Sequence, residues 1–261
     1  MLWHVNGTGL SLLGSIHVLD VSPPPLSEPA WNAFNAARRI IFEHDIAQPP
    51  TLPPGARLPP NESLGDVVPA SLHAAVQKLC GGLSWNPAVV ETFSPWFAAI
   101  SIVTEALKRR GFLHEKGVDR ALIALAQAQG KTIKYLESAT DAILGASQAP
   151  LSEQQAMLSF AVEDATNVPG LGERLASGWK QRRCDVIAGA VRERVEQMPV
   201  MYGSIIEGRN RQWLPRLLET LRNPEPTVAV AGVVHMIGAT GLPAMIRAHG
   251  HQVVGVDVVG E

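Results

Sequence analysis

Two histidines, each three residues after a glycine that ends an apolar run, have the residue types and spacing to do chemistry. One lies in Leu12-Leu13-Gly14-Ser15-Ile16-His17, the other in Val230-Ala231-Gly232-Val233-Val234-His235, near opposite ends of the chain. Two more apolar runs end in carboxylates, at Glu43 and Glu137. Glycine lets a backbone turn sharply, or lets another group approach where a side chain would clash. Two imidazoles and a carboxylate can hold Mn²⁺, Co²⁺, Fe²⁺ or Zn²⁺ and leave coordination positions open. A cation held so makes water a nucleophile near neutral pH, because it lowers the water's pKa to roughly 7 in favourable cases. A second carboxylate can then act as general base. Arg209 can stabilise negative charge on a carbonyl oxygen, and Asn210 beside it can add a hydrogen bond. Asp119 reads as a helix-start residue rather than a ligand, and His44, His249 and His251 read as peripheral. Glu207 and Arg211 give the neighbourhood of Arg209 the look of a solvated helix face.

Strands and helices must carry these groups to one place. Residues 10–19 read as a buried strand ending at His17, and residues 40–43 as a second strand ending at Glu43. Between them Ser27 caps a helix beginning at Glu28-Pro29, with Trp31, Phe34 and Ala37 at helical spacing. Residues 117–130 read as a helix with Asp119 in its first turn and Val118, Leu122, Leu125 and Ala126 as its buried stripe. Residues 132–137, 227–235 and 253–258 read as further strands, the last two joined by a helix over 242–248. The proline-rich stretch 48–60 reads as an extended surface loop. The middle is helix-rich, with Trp85, Phe93, Trp96 and Phe97 as core aromatics and breaks at Pro169-Gly170 and Pro199.

The pattern predicts an α/β fold. Its central, mainly parallel or mixed sheet is flanked by helices, because the apolar runs lack clean alternation. Two pseudo-repeated β-GxxH-α-β halves frame the middle. One domain over residues 1–261 is expected, with helical inserts at about 62–110 and 151–222. In such sheets ligands gather outside the carboxyl ends of strands, where His17, Glu43, Glu137 and His235 stand.

Composition narrows the classes. The 261 residues carry 22 basic and 24 acidic side chains, a formal net charge of -2, with no basic stripe for nucleic acid or a membrane surface. Cys80 and Cys184 are far apart, so neither a disulfide framework nor a cysteine zinc site is expected. That usage and the absence of a signal-peptide pattern point to the cytoplasm. No apolar run reaches membrane-spanning length. An edge strand left unpaired would support a homodimer.

The chain resembles the TraB/PrgY/GumN family, which is related to the Tiki proteases. The stretches that carry the resemblance are Leu13-Gly14-Ser15-Ile16-His17, Ile41-Phe42-Glu43, Ser94-Pro95-Trp96, Gly117-Val118-Asp119, Gly130-Lys131 through Leu136-Glu137, Arg209-Asn210 and Gly232-Val233-Val234-His235 with Gly238 and Gly241-Leu242. They follow the family's order across nearly the whole chain. The resemblance implies a fold like that of the erythromycin esterase and ChaN superfamily. It also implies a metal-dependent peptidase, with Mn²⁺ or Co²⁺ favoured and Zn²⁺ admissible, acting on a peptide or protein. By place and type, His17, His235 and Glu43 would bind the metal, and Glu43 and Arg209 would serve catalysis. Departures are His44 after Glu43, where an apolar residue is expected, the proline loop, and the lack of a secretion signal or membrane segment. Two other readings stand beside this one. The fold could sequester a metal, haem or peptide without turnover, or it could hydrolyse without metal, using His and Glu.

Overall fold

The computed structural model describes residues 1–46 and 52–261. The loop expected over 48–60 thus lies partly outside the described residues. From Leu52 on it holds no helix and no named strand, only an isolated bridge between Arg57 and Phe93.

Six strands form one mixed sheet: β1 (Leu2–Val5), β2 (Leu10–Ser15), β3 (Arg39–Phe42), β4 (Thr132–Tyr135), β5 (Thr227–Gly232) and β6 (Val253–Gly255), in the order β4-β3-β5-β2-β1-β6. The strands β4, β3, β5 and β2 run parallel, and β1 is antiparallel to both of its neighbours. The two central strands, β2 and β5, are buried at every position, so both faces of the sheet are covered there. Full burial of a Leu or Val side chain is worth roughly 1.5–3 kcal/mol, and Leu12, Leu13, Val228 and Val230 are all at or below 1% exposure. At the rim, β4 alternates exposed and half-buried residues, as a free edge does.

The connections explain where a site can form. From β2 the chain passes through the helix Glu28–Ala36 and crosses β5 to reach β3. From β5 it passes through the helix Leu242–Ala248 and goes the other way, past β2 and β1, to β6. Adjacent parallel strands whose connections leave in opposite directions make a topological switch point, with a crevice at their carboxyl ends. The Ser27 side chain caps Glu28–Ala36 by accepting from the Ala30 N–H, as its sequence predicts.

Several boundaries differ from the sequence reading. The strand β1 falls on a segment read only for leader signals; its marker is Asn6-Gly7 between two apolar runs, a hairpin turn in which Gly7 takes φ 74°. The strand expected over 10–19 stops at Ser15, and the one over 227–235 stops at Gly232, so neither histidine is on a strand. His235 lies in a 3₁₀ turn, Val233–Met236, which takes the chain out of the sheet ladder directly after Gly232. The strands expected over 132–137 and 253–258 also end early, at Tyr135 and Gly255.

Away from the sheet, the helices Ala70–Leu83, Pro95–Arg109 and Leu151–Thr166 share an apolar cluster built on Val76, Ala98, Ile102, Leu158 and Ala161. Among the described residues no helix is long and apolar enough to cross a membrane.

Candidate functional site

The two GxxH turns emerge side by side. Ser15 pairs with Gly232 across the parallel β2 and β5 ladder, so Gly14 stands opposite Ala231 and the two glycines are one residue out of step. They accordingly do different work. Gly14 is a packing glycine: a Cβ there would meet Val233 Cγ2 at 3.1 Å, and its carbonyl accepts a 2.7 Å bond from the indole N–H of Trp179. Gly232 faces the site. A Cβ on it would lie 3.3 Å from Glu43 Oε1, 3.3 Å from His17 Nε2 and 3.7 Å from His235 Cδ2. The missing side chain leaves a cradle lined by all three.

His17 follows β2 and is held from behind. Its Nδ1 donates to Asp119 Oδ2 at 3.0 Å, and Ser15 Oγ donates to Asp119 Oδ1 at 2.7 Å. Asp119 is in the first turn of the helix Val118–Ala128, whose first N–H bonds the Ile16 carbonyl at 2.9 Å. A carboxylate behind an imidazole fixes the orientation of the ring, here with Nε2 toward the cradle. The Asp119 charge raises the His17 pKa to about 9, against the opposing effect of desolvation. His17 is the open side of the site, its side chain 54% exposed.

His235 is the closed side, 4% exposed. Its Nδ1 donates to Asn210 Oδ1 at 2.8 Å, and its Nε2 accepts from Arg209 Nη1 at 3.1 Å. Asn210 Nδ2 in turn donates to the carbonyls of His235 and Thr240 at 3.2 and 2.8 Å. Burial lowers the His235 pKa to about 3, so the ring is neutral with its proton on Nδ1. The indole of Trp213 packs on it at 4.6 Å between centroids, tilted by 41°.

Glu43 leaves the end of β3 and is buried. Its Oε1 accepts from the Gly232 N–H and its Oε2 from Arg209 Nη2, each at 2.5 Å. Burial alone would favour the neutral acid; His235, His17, Arg209 and the Gly232 N–H outweigh it and hold the pKa down at about 2. Glu137, just past β4, accepts from Arg209 Nη2 at 2.5 Å and from the Trp213 indole N–H at 3.0 Å. Arg209 opens the helix Arg209–Thr220, directly after a π-helical turn, Gly203–Gly208. Such turns interrupt helices preferentially at functional sites. Burial disfavours the Arg209 charge, but Glu43 and Glu137 outweigh it and raise the pKa further.

The structure therefore brings His17, His235 and Glu43 around Gly232, with Arg209 linking Glu43 and His235 to Glu137, and Asn210 behind His235. Far from lying on a solvated face, Arg209 has only 12% of its side chain exposed. Asp119 begins a helix as expected, and it also holds His17. Trp213 is a site residue that the sequence analysis lacks; its signal is that it stands four residues after Arg209, the spacing of one helix face. His44, read as peripheral, offers a donor atom within 4.8 Å of donors on Glu43 and Glu137, and its buried Nδ1 has no hydrogen-bond partner. His249 is peripheral: it is exposed, with Nδ1 on the Met245 carbonyl.

His235 offers a neutral imidazole and Glu43 a buried carboxylate beside a cradle that a Cβ would fill, donors that suit a divalent cation, whereas His17, which Asp119 keeps protonated up to about pH 9, must lose its Nε2 proton to join them. The His235 Nε2 lone pair is engaged by Arg209 in this arrangement. One test of the cradle is Gly232→Ala. Its φ of -51° and ψ of 137° suit alanine, so stability should change by under about 1 kcal/mol. Metal affinity, read by calorimetry, should fall at least tenfold, a loss of about 1.4 kcal/mol, as the methyl enters the space between Glu43 and His17. Unchanged affinity would remove the cradle from the account.

Residues 1–254 match the TraB/PrgY/gumN family. The uncharacterized protein YbaP of Escherichia coli (strain K12) is similar, at 24% identity over 236 residues, covering 90% of this chain and 87% of that protein. The uncharacterized protein YbaP of Shigella flexneri gives the same figures. No solved structure matches the chain. The family match runs through every site residue described above, from His17 to His235, and the chain belongs to the TraB/PrgY/gumN family.

Proposed function

We propose that this protein is a metal-dependent hydrolase acting as a peptidase, with His17, His235 and Glu43 as the metal-binding set. The observation that carries this reading is the convergence of both GxxH turns and the β3 carboxylate on the single side-chain-free position Gly232. The resemblance to Tiki-like relatives supports the peptidase assignment and the preference for Mn²⁺ or Co²⁺ over Zn²⁺. A bound divalent cation would supply Lewis acidity and a water of lowered pKa. The protein's own groups do the rest. Asp119 orients His17, and Asn210 orients His235. Glu43 is a ligand or, through its Oε1, a general base. Arg209 steadies negative charge on the carbonyl oxygen of the substrate once its guanidinium is free to turn toward it.

Cleavage of a peptide library, read by mass spectrometry with Mn²⁺ or Co²⁺ present, tests the activity. Chelation should abolish cleavage and metal should restore it; no cleavage of any peptide would overturn the peptidase assignment. Loss of Asp119, the support behind His17, should cost roughly 10–100-fold in metal affinity or turnover. Asp119→Asn keeps the shape and loses the charge, so it should fall at the lower end of that range.

The engagement of His235 Nε2 by Arg209 favours one second reading, hydrolysis without metal. There His17, held by Asp119, handles the proton and Glu43 positions water. Cleavage that survives thorough chelation would select it.

A further inference from the structure

Arg209 has no hydrogen-bonding capacity left for a substrate. A guanidinium carries five N–H groups, and here every one is engaged. Nε–H lies 3.0 and 3.2 Å from the two carboxylate oxygens of Glu137. Nη1 donates to the Ile205 carbonyl and to His235 Nε2, each at 3.1 Å, and Nη2 to Glu43 Oε2 and Glu137 Oε1, each at 2.5 Å. Its partners, apart from one backbone carbonyl, are two carboxylates and one neutral imidazole, the donors that a divalent cation takes. Glu43 and Glu137 are 5% and 4% exposed in their side chains, so they need a cation between them.

We propose that Arg209 is an internal cation that a divalent metal displaces, so that metal binding and release of the guanidinium toward substrate are one event. The inference rests on the metal-dependent reading above and deepens it. His235 Nε2 has a single lone pair in the ring plane, so Arg209 and a metal ion exclude each other there. His44 strengthens the exchange. Its buried Nδ1 has no partner, and it offers a donor atom within 4.8 Å of Glu43 and Glu137, so Glu137 keeps a neighbouring protein group when the guanidinium leaves and Glu43 turns to the metal with His17 and His235. The π-helical turn Gly203–Gly208 ends at the residue before Arg209, a break in regular helix at the base of the side chain that must swing. The device keeps two buried carboxylates satisfied in the absence of metal, and it withholds the substrate-facing arginine until metal is bound.

Co²⁺ titration of the full chain, by calorimetry and visible absorbance, tests the exchange in wild type, Arg209→Met and Arg209→Met/His235→Ala. A competitor that occupies the site at least nine-tenths of the time weakens apparent affinity by about tenfold or more. Arg209→Met should therefore bind Co²⁺ at least tenfold more tightly than wild type, and adding His235→Ala should remove the gain. Without metal its melting temperature should be lower, and Co²⁺ should recover it. In wild type, the Arg209 Nε–H resonance should exchange slowly with solvent, and saturating Zn²⁺ should speed that exchange; this readout needs no variant to fold. Equal or weaker binding by Arg209→Met, or an Nε–H unchanged at Zn²⁺ saturation, would overturn the exchange and leave the metal-dependent reading standing. No binding to either protein would overturn both.

Discussion

Glu43→Ala is expected to lower the free energy of unfolding by about 3–5 kcal/mol, the usual cost of removing one partner from a buried ion pair. The variant leaves the Gly232 N–H without its acceptor and Arg209 with Glu137 as its one remaining carboxylate. Urea unfolding measures the loss. Glu43→Gln should lose less, since its amide oxygen can still accept from Gly232. Acid provides a second measure. The folded-state pKa of Glu43, about 2, lies below the ordinary value of 4.5, so its ionised form contributes stability in full above about pH 4.5. That contribution is lost as pH falls toward 2. The gap between wild type and Glu43→Ala should therefore be widest near neutral pH and narrow across that window. A gap independent of pH would show that Glu43 acts by packing and not by charge.

Gly117→Ala should be the most damaging single methyl near the site. A Cβ at Gly117 would fall 2.2 Å from the His17 carbonyl oxygen and 3.0 Å from that of His114. Both obstacles are backbone and cannot swing aside. The φ of -60° at Gly117 suits alanine, so the whole penalty is steric. Overpacking of this kind typically costs about 1–3 kcal/mol. The methyl must also push apart the Ile16-His17 turn and the start of the helix Val118–Ala128, which carry His17 and Asp119. Gly117→Ala should thus lose metal binding as well as stability, whereas Gly232→Ala should lose binding alone. Retention of both by Gly117→Ala would contradict the close approach.

Much of the site can be read from the sequence because its residues end apolar runs. His17, His235 and Glu43 follow buried strands, and burial shows in composition even when alternation does not, whereas Glu137 follows the edge strand β4, whose residues alternate exposed and half-buried. What the sequence hides is pairing. Nothing local says that β2 and β5, more than two hundred residues apart in the chain, lie side by side, nor that their glycines are one step out of register. The repeated GxxH suggests equal halves, yet Gly14 serves packing and Gly232 lines the cradle. Arg209 is hidden for a similar reason. Its neighbours Glu207 and Arg211 form their own ion pair, and its burial depends on two carboxylates delivered by other strands. Asp119 has a sufficient local role at its helix start, so its bond to His17 emerges only when the helix meets β2. The strand β1 is a different case: Asn6-Gly7 announces its hairpin in the sequence itself.

The proposed function depends first on His17 and His235 sharing one metal site. Elemental analysis and calorimetry with Mn²⁺, Co²⁺ and Zn²⁺ on the intact chain, His17→Ala and His235→Ala test it most directly. Stoichiometric binding to the intact chain is expected, with its loss in each variant while the fold persists. Failure of the folded, intact chain to bind any of the three, or binding that survives both substitutions, would contradict it.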